Sequence, residues 1–409
     1  MSRASADFAD PLRRIPRKAA PRDGRDFSPF LLLWLSGAGL RLTILAIPPL
    51  IPQIRADLHL SQTEVGLLSG LPPVLFALTA IPGSLLIARF GATATLVAGL
   101  LVAALGGALR GLSPNVEVLF FTTVVMSMGV AVMQPAMPPL VRKWTPQRVG
   151  FATAIYTNGL LMGEVLPVAL SVPLILPLVG GYWRPSLVLW SVPLAATALL
   201  VIWRSLRSGG TGAVGSGARR WRPDWRDARM WRLGFMFGAV NSIYFATNGF
   251  LPGYFVALGR PDMISAALTA LNLGQIPASV LLLVASRHLV GSRWPYAANG
   301  LIAFIGLLGV LLVNGVVAIA FAALIGFACA GTLILALALP PLLSEPEDVH
   351  RMSAGMFTIS YTSALIVPVL SGALWDLTGS AGWAFAPSLL CACVLVLLTP
   401  GLDLTSKAA

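Results

Sequence analysis

Long apolar runs alternate with short polar breaks along almost the whole chain. Each run has at least roughly the 17–25 residues that a helix needs to cross the ~30 Å hydrocarbon core of a bilayer. The pattern therefore predicts an all-α membrane protein with twelve transmembrane helices. The predicted spans lie near 30–54, 63–88, 92–112, 116–141, 150–176, 185–203, 231–257, 264–286, 294–313, 316–342, 352–375 and 382–400.

One polar interruption is much longer than the others and divides the spans into two sets of six. It covers residues 204–230, and its first part is rich in Gly and Ser, as flexible linkers are. We predict a cytoplasmic N-terminal arm (1–29), a six-helix bundle (30–203), a cytoplasmic linker (204–230), a second six-helix bundle (231–400) and a cytoplasmic tail (401–409).

The two sets of spans echo each other at a nearly constant offset. IPPLIP ending at Pro52 matches FLP ending at Pro252, AIPGSLLIARF (80–90) matches QIPASVLLLVASRH (275–288), and MPPLV (137–141) matches LPPLL (339–343). Short matches rich in Pro and Leu also arise by chance, but these three keep their order. They indicate a duplicated six-helix unit and hence two pseudo-symmetric bundles.

The composition indicates that lipid is the solvent of this chain. Hydrophobic residues make up 56% and charged residues 11%, whereas soluble domains carry about 25% charged residues. The net charge of +12 comes mainly from basic residues that lie on one side of the predicted membrane spans. With the N-terminus inside, only Arg55, Arg110, Arg184 and Arg260 fall outside, as the positive-inside rule requires. We therefore expect both termini in the cytoplasm, the bilayer as a partner, and no nucleic acid.

Arg41 lies near the middle of the first span. A guanidinium there costs at least ~2.5–3.5 kcal/mol on insertion scales, and an arginine does not lose its proton in a protein. Membrane proteins keep such a charge where it meets water, a carboxylate or an anionic solute. We interpret Arg41 as a substrate-binding residue for an anion. The alternative is a structural arginine bonded to backbone carbonyls or to an acid.

Glu164, in the fifth span, is the second charge inside the predicted membrane region. Pairing with Arg41 would lower the cost of both charges. A glutamate held out of water can also bind and release protons near neutral pH, which makes Glu164 the candidate for proton coupling. The alternative is a glutamate at the wall of a water-filled cavity with no coupling role.

Neutral polar side chains in the spans supply further candidates. Asn241, Tyr244 and Asn248 follow an i, i+3, i+7 spacing and so share one face of the seventh helix. The predicted substrate-binding residues are Arg41, Gln134, Asn158, Asn241, Tyr244, Asn248 and Tyr361, with Asn272 and Gln275 as weaker candidates. Hydrogen bonding between helices is the alternative role of the neutral residues.

Several segments resemble one known transporter family. They are GLRLTILAIPPLIPQIRADLHLSQTEVGLLSGLPPVLFAL (39–78), GALRGLSPN (107–115), GVAVMQPAMPPLVRKW (129–144), YWRPSLVLWSVP (182–193), NGFLPGYFVALG (248–259), LNLGQIPASVLL (271–282) and SGALWDLTGS (371–380). This set is similar to the cyanate/2-nitroimidazole transporter branch of the major facilitator superfamily. The resemblance implies the major facilitator fold and alternating-access transport of cyanate or of other small, mostly anionic or planar solutes.

Two features depart from the family pattern. The loop SLLIARFGATA (84–94) keeps Arg89 and Gly91 of the usual G-x-x-x-D-R-x-G-R-R but lacks its acid and its later basic pair. Glu164 stands where relatives of this branch are rich in glycine and uncharged. The first departure weakens the usual account of how this loop latches closed states, and the second makes Glu164 particular to this protein or its close kin.

Together these observations predict a secondary active transporter for a small anionic solute, acting as a monomer in a bacterial inner membrane, with H⁺ as the candidate coupling ion. The chain has no Walker-type, nucleophile-elbow or H-E-x-x-H motif, so we expect neither an enzyme nor a cofactor or metal. Two alternatives are an efflux permease for amphipathic drugs and a non-transporting membrane sensor. Export of neutral dyes by an Arg41→Ala variant would favour the efflux permease. A membrane sensor would be expected to carry a large soluble signalling domain.

Overall fold

The computed structural model describes residues 28–208, 224–289, 292–313, 315–343 and 349–401, and all regular secondary structure in these ranges is helical. The helices form twelve segments: α1 (Ser28–Leu58), α2 (Gln62–Phe90), α3 (Ala92–Arg110), α4 (Val116–Trp144), α5 (149–178), α6 (Trp183–Ser208), α7 (Ala228–Ala257), α8 (261–289), α9 (Trp294–Leu312), α10 (Val316–Leu343), α11 (Val349–Thr378) and α12 (Ala381–Gly401).

The predicted all-helical membrane architecture is confirmed, and the twelve segments of the described ranges are consistent with the twelve predicted spans. Within the described ranges, ten segments are long and apolar enough to cross a membrane. The other two, α2 and α7, have 29 and 30 residues, and at 1.5 Å per residue they also exceed the hydrocarbon thickness. The ends of the predicted linker are helical, because α6 continues to Ser208 and α7 starts at Ala228. Residues 1–27, 209–223 and 402–409 of the predicted arm, linker and tail lie outside the described residues, and the domain boundaries stay a prediction.

The first segment is a broken helix, and its sequence explains the break. α1 consists of Ser28–Gly39, Leu42–Leu45, a 3₁₀ turn at Pro48–Leu50 and Ile51–Leu58. Pro48 and Pro49 have no N–H to donate to the preceding turn, and the amide of Ile47 bonds to Ile44 instead of Thr43. Backbone carbonyls near the middle of α1 are therefore free for other partners. Arg41 lies at the first break, directly before the short second piece.

Small residues bring α1 and α5 into backbone contact. Gly159 and Gly163 are one turn apart on α5, and a Cβ at either position would overlap a backbone carbonyl oxygen of α1, that of Trp34 or of Ala38 respectively. Pairs of small residues four apart are typical of close helix crossings in membranes. This crossing fixes the rotation of both helices, and it places the residue after Gly163 opposite the break in α1.

The two halves of the chain meet along α2 with α11 and along α5 with α8. At one end this interface is closed. The Asp376 carboxylate of α11 accepts hydrogen bonds from the backbone amides of Gln62 (2.9 Å) and Thr63 (2.8 Å) and from the Thr63 hydroxyl (2.7 Å), at the N-terminus of α2. A Cβ on Gly66 or Gly372 would overlap backbone of the facing helix. We call this region, opposite to the start of α1, the closed end.

Candidate functional site

Arg41 and Glu164 form an ion pair between α1 and α5. The Arg41 Nε atom lies 3.1 Å from Glu164 Oε1, and the two side chains are 15% and 6% exposed. A charge pair with so little access to water interacts through a lower effective dielectric constant than a surface pair. The structure thus confirms the pairing that the two intramembrane charges suggested.

The second carboxylate oxygen of Glu164 is bound by the other half of the chain. The side-chain amide of Gln275, on α8, donates to Glu164 Oε2 at 2.7 Å. Glu164 therefore connects a cation of the first half with an amide of the second half. Any movement that separates the halves at this level must break or replace the bond to Gln275.

A chain of amide and hydroxyl groups continues from Gln275 through the second half. Asn272 Oδ1 accepts from Gln275 (3.4 Å) and from the Tyr244 hydroxyl (2.7 Å), and Asn272 Nδ2 donates to Asn248 Oδ1 (3.2 Å). All of these side chains are buried. Buried polar groups of this kind are stable only when they are hydrogen-bonded, so these side chains act as one connected network.

The guanidinium of Arg41 retains an unused donor. Its Nη1 atom is buried and has no hydrogen-bond partner among the described residues. The guanidinium also lies over the ring of Phe76 from α2, with 5.4 Å between the carbon Cζ and the ring centroid. A cation–π contact of this type satisfies part of the charge but none of the N–H groups. A buried N–H without an acceptor is a position where a bound anion would be stabilised.

Aromatic side chains form the opposite wall of this region. Tyr361 lies on α11 and is buried, and Gln134 begins a 3₁₀ turn within α4. The Tyr361 ring packs edge-on against Phe76 at 5.5 Å and is stacked on Phe357 at 5.7 Å. The pair of charges is thus bordered by flat apolar faces from both halves.

Two predicted site residues are not brought to the ion pair. Asn158 accepts a hydrogen bond from the Trp34 indole (2.9 Å) on an exposed part of α5. Asn241 donates to Ser360 of α11 (2.8 Å). The polar side chains of α7 therefore bond to two different helices, Asn241 to α11 and Tyr244 and Asn248 to α8. These are hydrogen bonds between helices, the alternative role considered for the neutral residues.

The position of Arg110 differs from its expected place on the outer surface. It is 1% exposed, and its Nη2 donates to the Thr43 carbonyl oxygen in the broken part of α1 at 2.5 Å. The sequence assigned Arg110 to outside water because it ends an apolar run, and nothing in GALRGLSPN distinguishes an exposed helix end from a buried one. Phe76 was also missed, since it is one apolar residue among many in its span.

A groove of about 1020 Å³ lies elsewhere, on the side of the first half near the closed end. Its lining includes Tyr182, Trp183 and Leu189 and none of the residues around Arg41 and Glu164. The ion pair is the better candidate site, because it contacts residues of both halves and includes a buried N–H group, Arg41 Nη1, without an acceptor among the described residues.

The described residues form twelve helical segments in two halves, with a buried polar centre between the halves. This is the architecture of a membrane transport protein. The sequence of residues 30–316 matches the family model of the Major Facilitator Superfamily. Because this match covers well over half of the chain, the protein belongs to that superfamily.

The comparisons with known proteins also support the branch that the sequence resembles. The chain is 26% identical to the cyanate transport protein CynX of Escherichia coli over 90% of this chain and 95% of that protein. It is 29% identical to the 2-nitroimidazole transporter of Escherichia coli, with 83% and 86% covered. It is 27% identical to the uncharacterized transporter YycB of Bacillus subtilis, with 88% and 89% covered.

Solved structures share the fold. A bacterial homolog of the human lysosomal transporter Spinster, in an inward-facing and unoccupied conformation, superposes with a TM-score of 0.71 at 15% identity, covering 92% of this chain and 96% of that chain. The D323A mutant of the nucleoside transporter NupG gives a TM-score of 0.70 at 13% identity, with 92% and 98% covered. The chain is thus a multi-pass membrane transporter of the cyanate-permease-like type.

Proposed function

We propose that this protein is a secondary active transporter that moves a small monovalent anion across the bacterial inner membrane by alternating access. Arg41 binds the anion, with Gln134 and Tyr361 as neutral hydrogen-bonding neighbours. One observation carries the proposal: a buried guanidinium between the two halves keeps an N–H group without an acceptor among the described residues. The relatives named for cyanate and 2-nitroimidazole transport support a small solute.

In this proposal, the anion and Glu164 compete for Arg41, and this competition couples transport to protons. Glu164 and an incoming anion both require the same guanidinium, and Glu164 releases it most readily when the carboxyl is protonated. Protonation also weakens the bond from Gln275 of the opposite half, because a neutral carboxyl is a weaker acceptor than a carboxylate. Binding of one H⁺ and one anion would therefore loosen the contact between the halves, which is the requirement for symport.

The proposed orientation places both termini in the cytoplasm and the closed end outside. It rests on the distribution of basic residues along the sequence. In this orientation the described conformation has its periplasmic side sealed by Asp376 and the N-terminus of α2. We propose that the protein works as a monomer, since each chain contains both halves of the site.

The test is uptake into proteoliposomes of a panel containing cyanate, formate, nitrate and neutral 2-nitroimidazole. We expect the wild type to take up at least one anion of the panel, and Arg41→Gln to lose this uptake. Breaking one partner of a buried ion pair costs about 3–5 kcal/mol, so the single variant can lose stability as well as function.

The double variant Arg41→Gln/Glu164→Gln separates these two effects. It removes both charges and should recover the melting temperature while it remains inactive towards anions. Anion uptake by the double variant at the wild-type rate, or a wild type that takes up neutral solutes only, would contradict an anion site at Arg41.

A second candidate is transport of neutral planar or amphipathic compounds. The observation that favours it is the aromatic wall of Phe76, Tyr361 and Phe357 beside the ion pair, together with the relative named for 2-nitroimidazole. In that case Arg41→Gln/Glu164→Gln should still move the neutral compound in the same panel.

A further inference from the structure

The buried charges of the described residues do not balance. Glu164 and Arg110 are the fully buried charged side chains, and Arg41 is largely buried. The described residues thus bury two guanidinium groups, those of Arg41 and Arg110, but one carboxylate. Glu164 is bonded to Arg41, and among the described residues Arg110 has no carboxylate partner. An unpaired charge in the membrane interior is costly and is typical of an ion or substrate pathway.

Arg110 has a donor that the fold does not use. Its Nη2 atom bonds to the Thr43 carbonyl oxygen, but its Nε atom is buried and has no partner in the described part of the chain. The bond to Thr43 accounts for one N–H direction of a group that can donate five hydrogen bonds. Support of the broken helix α1 therefore explains only one of the hydrogen bonds that the Arg110 guanidinium can donate.

Arg110 also borders a small cavity between the two halves. The cavity has a volume of about 20 Å³, room for a single water molecule. Ser69 of α2 and Asn248 of α7 provide its other polar side chains. Its lining on α1 runs from Ile44 to Pro48, which places it between Arg41 and the closed end.

The cavity lies at the end of the polar chain that starts at Arg41. The chain runs from Glu164 through Gln275 and Asn272 to Asn248, and Asn248 lines the cavity opposite Arg110. We propose that Arg110 forms a second anion-binding site, which takes the same small monovalent anions as Arg41 and is occupied first by an anion arriving from the closed end. Opening of that end widens the cavity, because its walls belong to both halves.

This inference rests on the proposed function, and the test compares the two directions of transport. Initial rates of [¹⁴C]cyanate uptake are measured in right-side-out and in inside-out membrane vesicles. Arg110→Gln removes the charge but keeps an amide that can donate to Thr43. We expect its KM to rise about ten-fold or more from outside, as for the loss of one charge-assisted contact, and to stay within about two-fold from inside.

Arg110→Lys keeps the charge and should restore most of the outside KM. Arg260→Gln is the control, because Arg260 is an exposed arginine at the same end that bonds to Asp262 beside it, and it should leave both KM values unchanged. Equal losses in both directions, or no folded protein with either Arg110 variant, would mean that Arg110 only supports α1, and the proposal would be wrong. An unchanged outside KM would also overturn it. If the wild type moves no anion at all, the proposed function itself fails, and this is seen before any variant is made.

Discussion

At the scale of single residues, the chemistry of this protein is concentrated in one carboxylate with two different partners. Glu164 binds a cation of its own half through Oε1 and an amide of the other half through Oε2. The two bonds respond differently to protonation and to mechanical separation of the halves. Glu164 can therefore connect the charge state of the site with the relative position of the halves, and this connection leads to two predictions.

Glu164→Gln should uncouple transport from the proton gradient. The amide keeps the shape of the side chain but cannot release a proton, so we expect anion exchange between the two sides to continue while accumulation driven by an inward proton gradient is lost. The measurement is uptake with and without a pH step across the liposome membrane. Glu117→Gln, at an exposed carboxylate near the start of α4, is the control. Accumulation by Glu164→Gln that still follows the pH step would exclude the coupling role.

Gln275→Ala should destabilise the described conformation. The substitution leaves Glu164 Oε2 buried without its donor, and a buried acceptor that loses its partner costs about 1–3 kcal/mol. We expect a lower melting temperature in detergent for Gln275→Ala but not for Gln53→Ala, where the glutamine is exposed. A melting temperature equal to that of the wild type would show that this contact contributes nothing to stability.

At the scale of elements, backbone contact between α1 and α5 is what places the ion pair. Gly163 allows the Ala38 carbonyl of α1 to lie against α5, and Glu164 follows directly in the chain. The break in α1 places Arg41 within reach of that glutamate. The geometry of the site therefore depends on an apolar crossing that makes no polar contact itself.

Gly163→Ala should separate α1 from α5 and weaken the ion pair. The added methyl group would overlap the Ala38 carbonyl oxygen, and overpacking of this kind costs about 1–3 kcal/mol. We expect a lower melting temperature and a reduced rate of anion uptake. Gly382→Ala is the matched control, since its Cβ would meet only Leu311 Cδ2 at 3.8 Å. If both substitutions are tolerated equally, the crossing is not a determinant of the site.

At the scale of the whole molecule, the Asp376 side chain joins the two halves at the closed end. Asp376 of α11 binds the free amides at the N-terminus of α2, where the helix dipole also favours a negative charge. Ser265 of α8 makes the related contact to α5 by donating to the Val168 carbonyl at 3.4 Å. These contacts must be lost when the closed end opens.

Asp376→Ala should shift the protein towards conformations in which the closed end is open. Three hydrogen bonds are removed, each worth about 0.5–1.5 kcal/mol, so we expect the open fraction to rise by roughly ten-fold or more. The measurement is the distance distribution between spin labels on Leu112→Cys and Arg260→Cys, two exposed positions in different halves, with the native cysteines replaced. Asp57→Ala is the control, because that carboxylate binds Arg184 within one half. An unchanged distribution in Asp376→Ala would show that other contacts hold the end closed.

The sequence by itself determined the twelve helices, the twofold organisation and the presence of Arg41 and Glu164 inside the membrane. These properties depend on the length and polarity of local segments, which decide whether a helix is stable in lipid. Only the tertiary structure decided which polar groups meet. Gln275 lies 111 residues from Glu164 along the chain, and Arg110 ends a helix in a way that is equally compatible with burial and exposure. The rotation of each helix about its axis selects these contacts. That rotation is set by close packing at positions such as Gly163, whose partners no local pattern identifies.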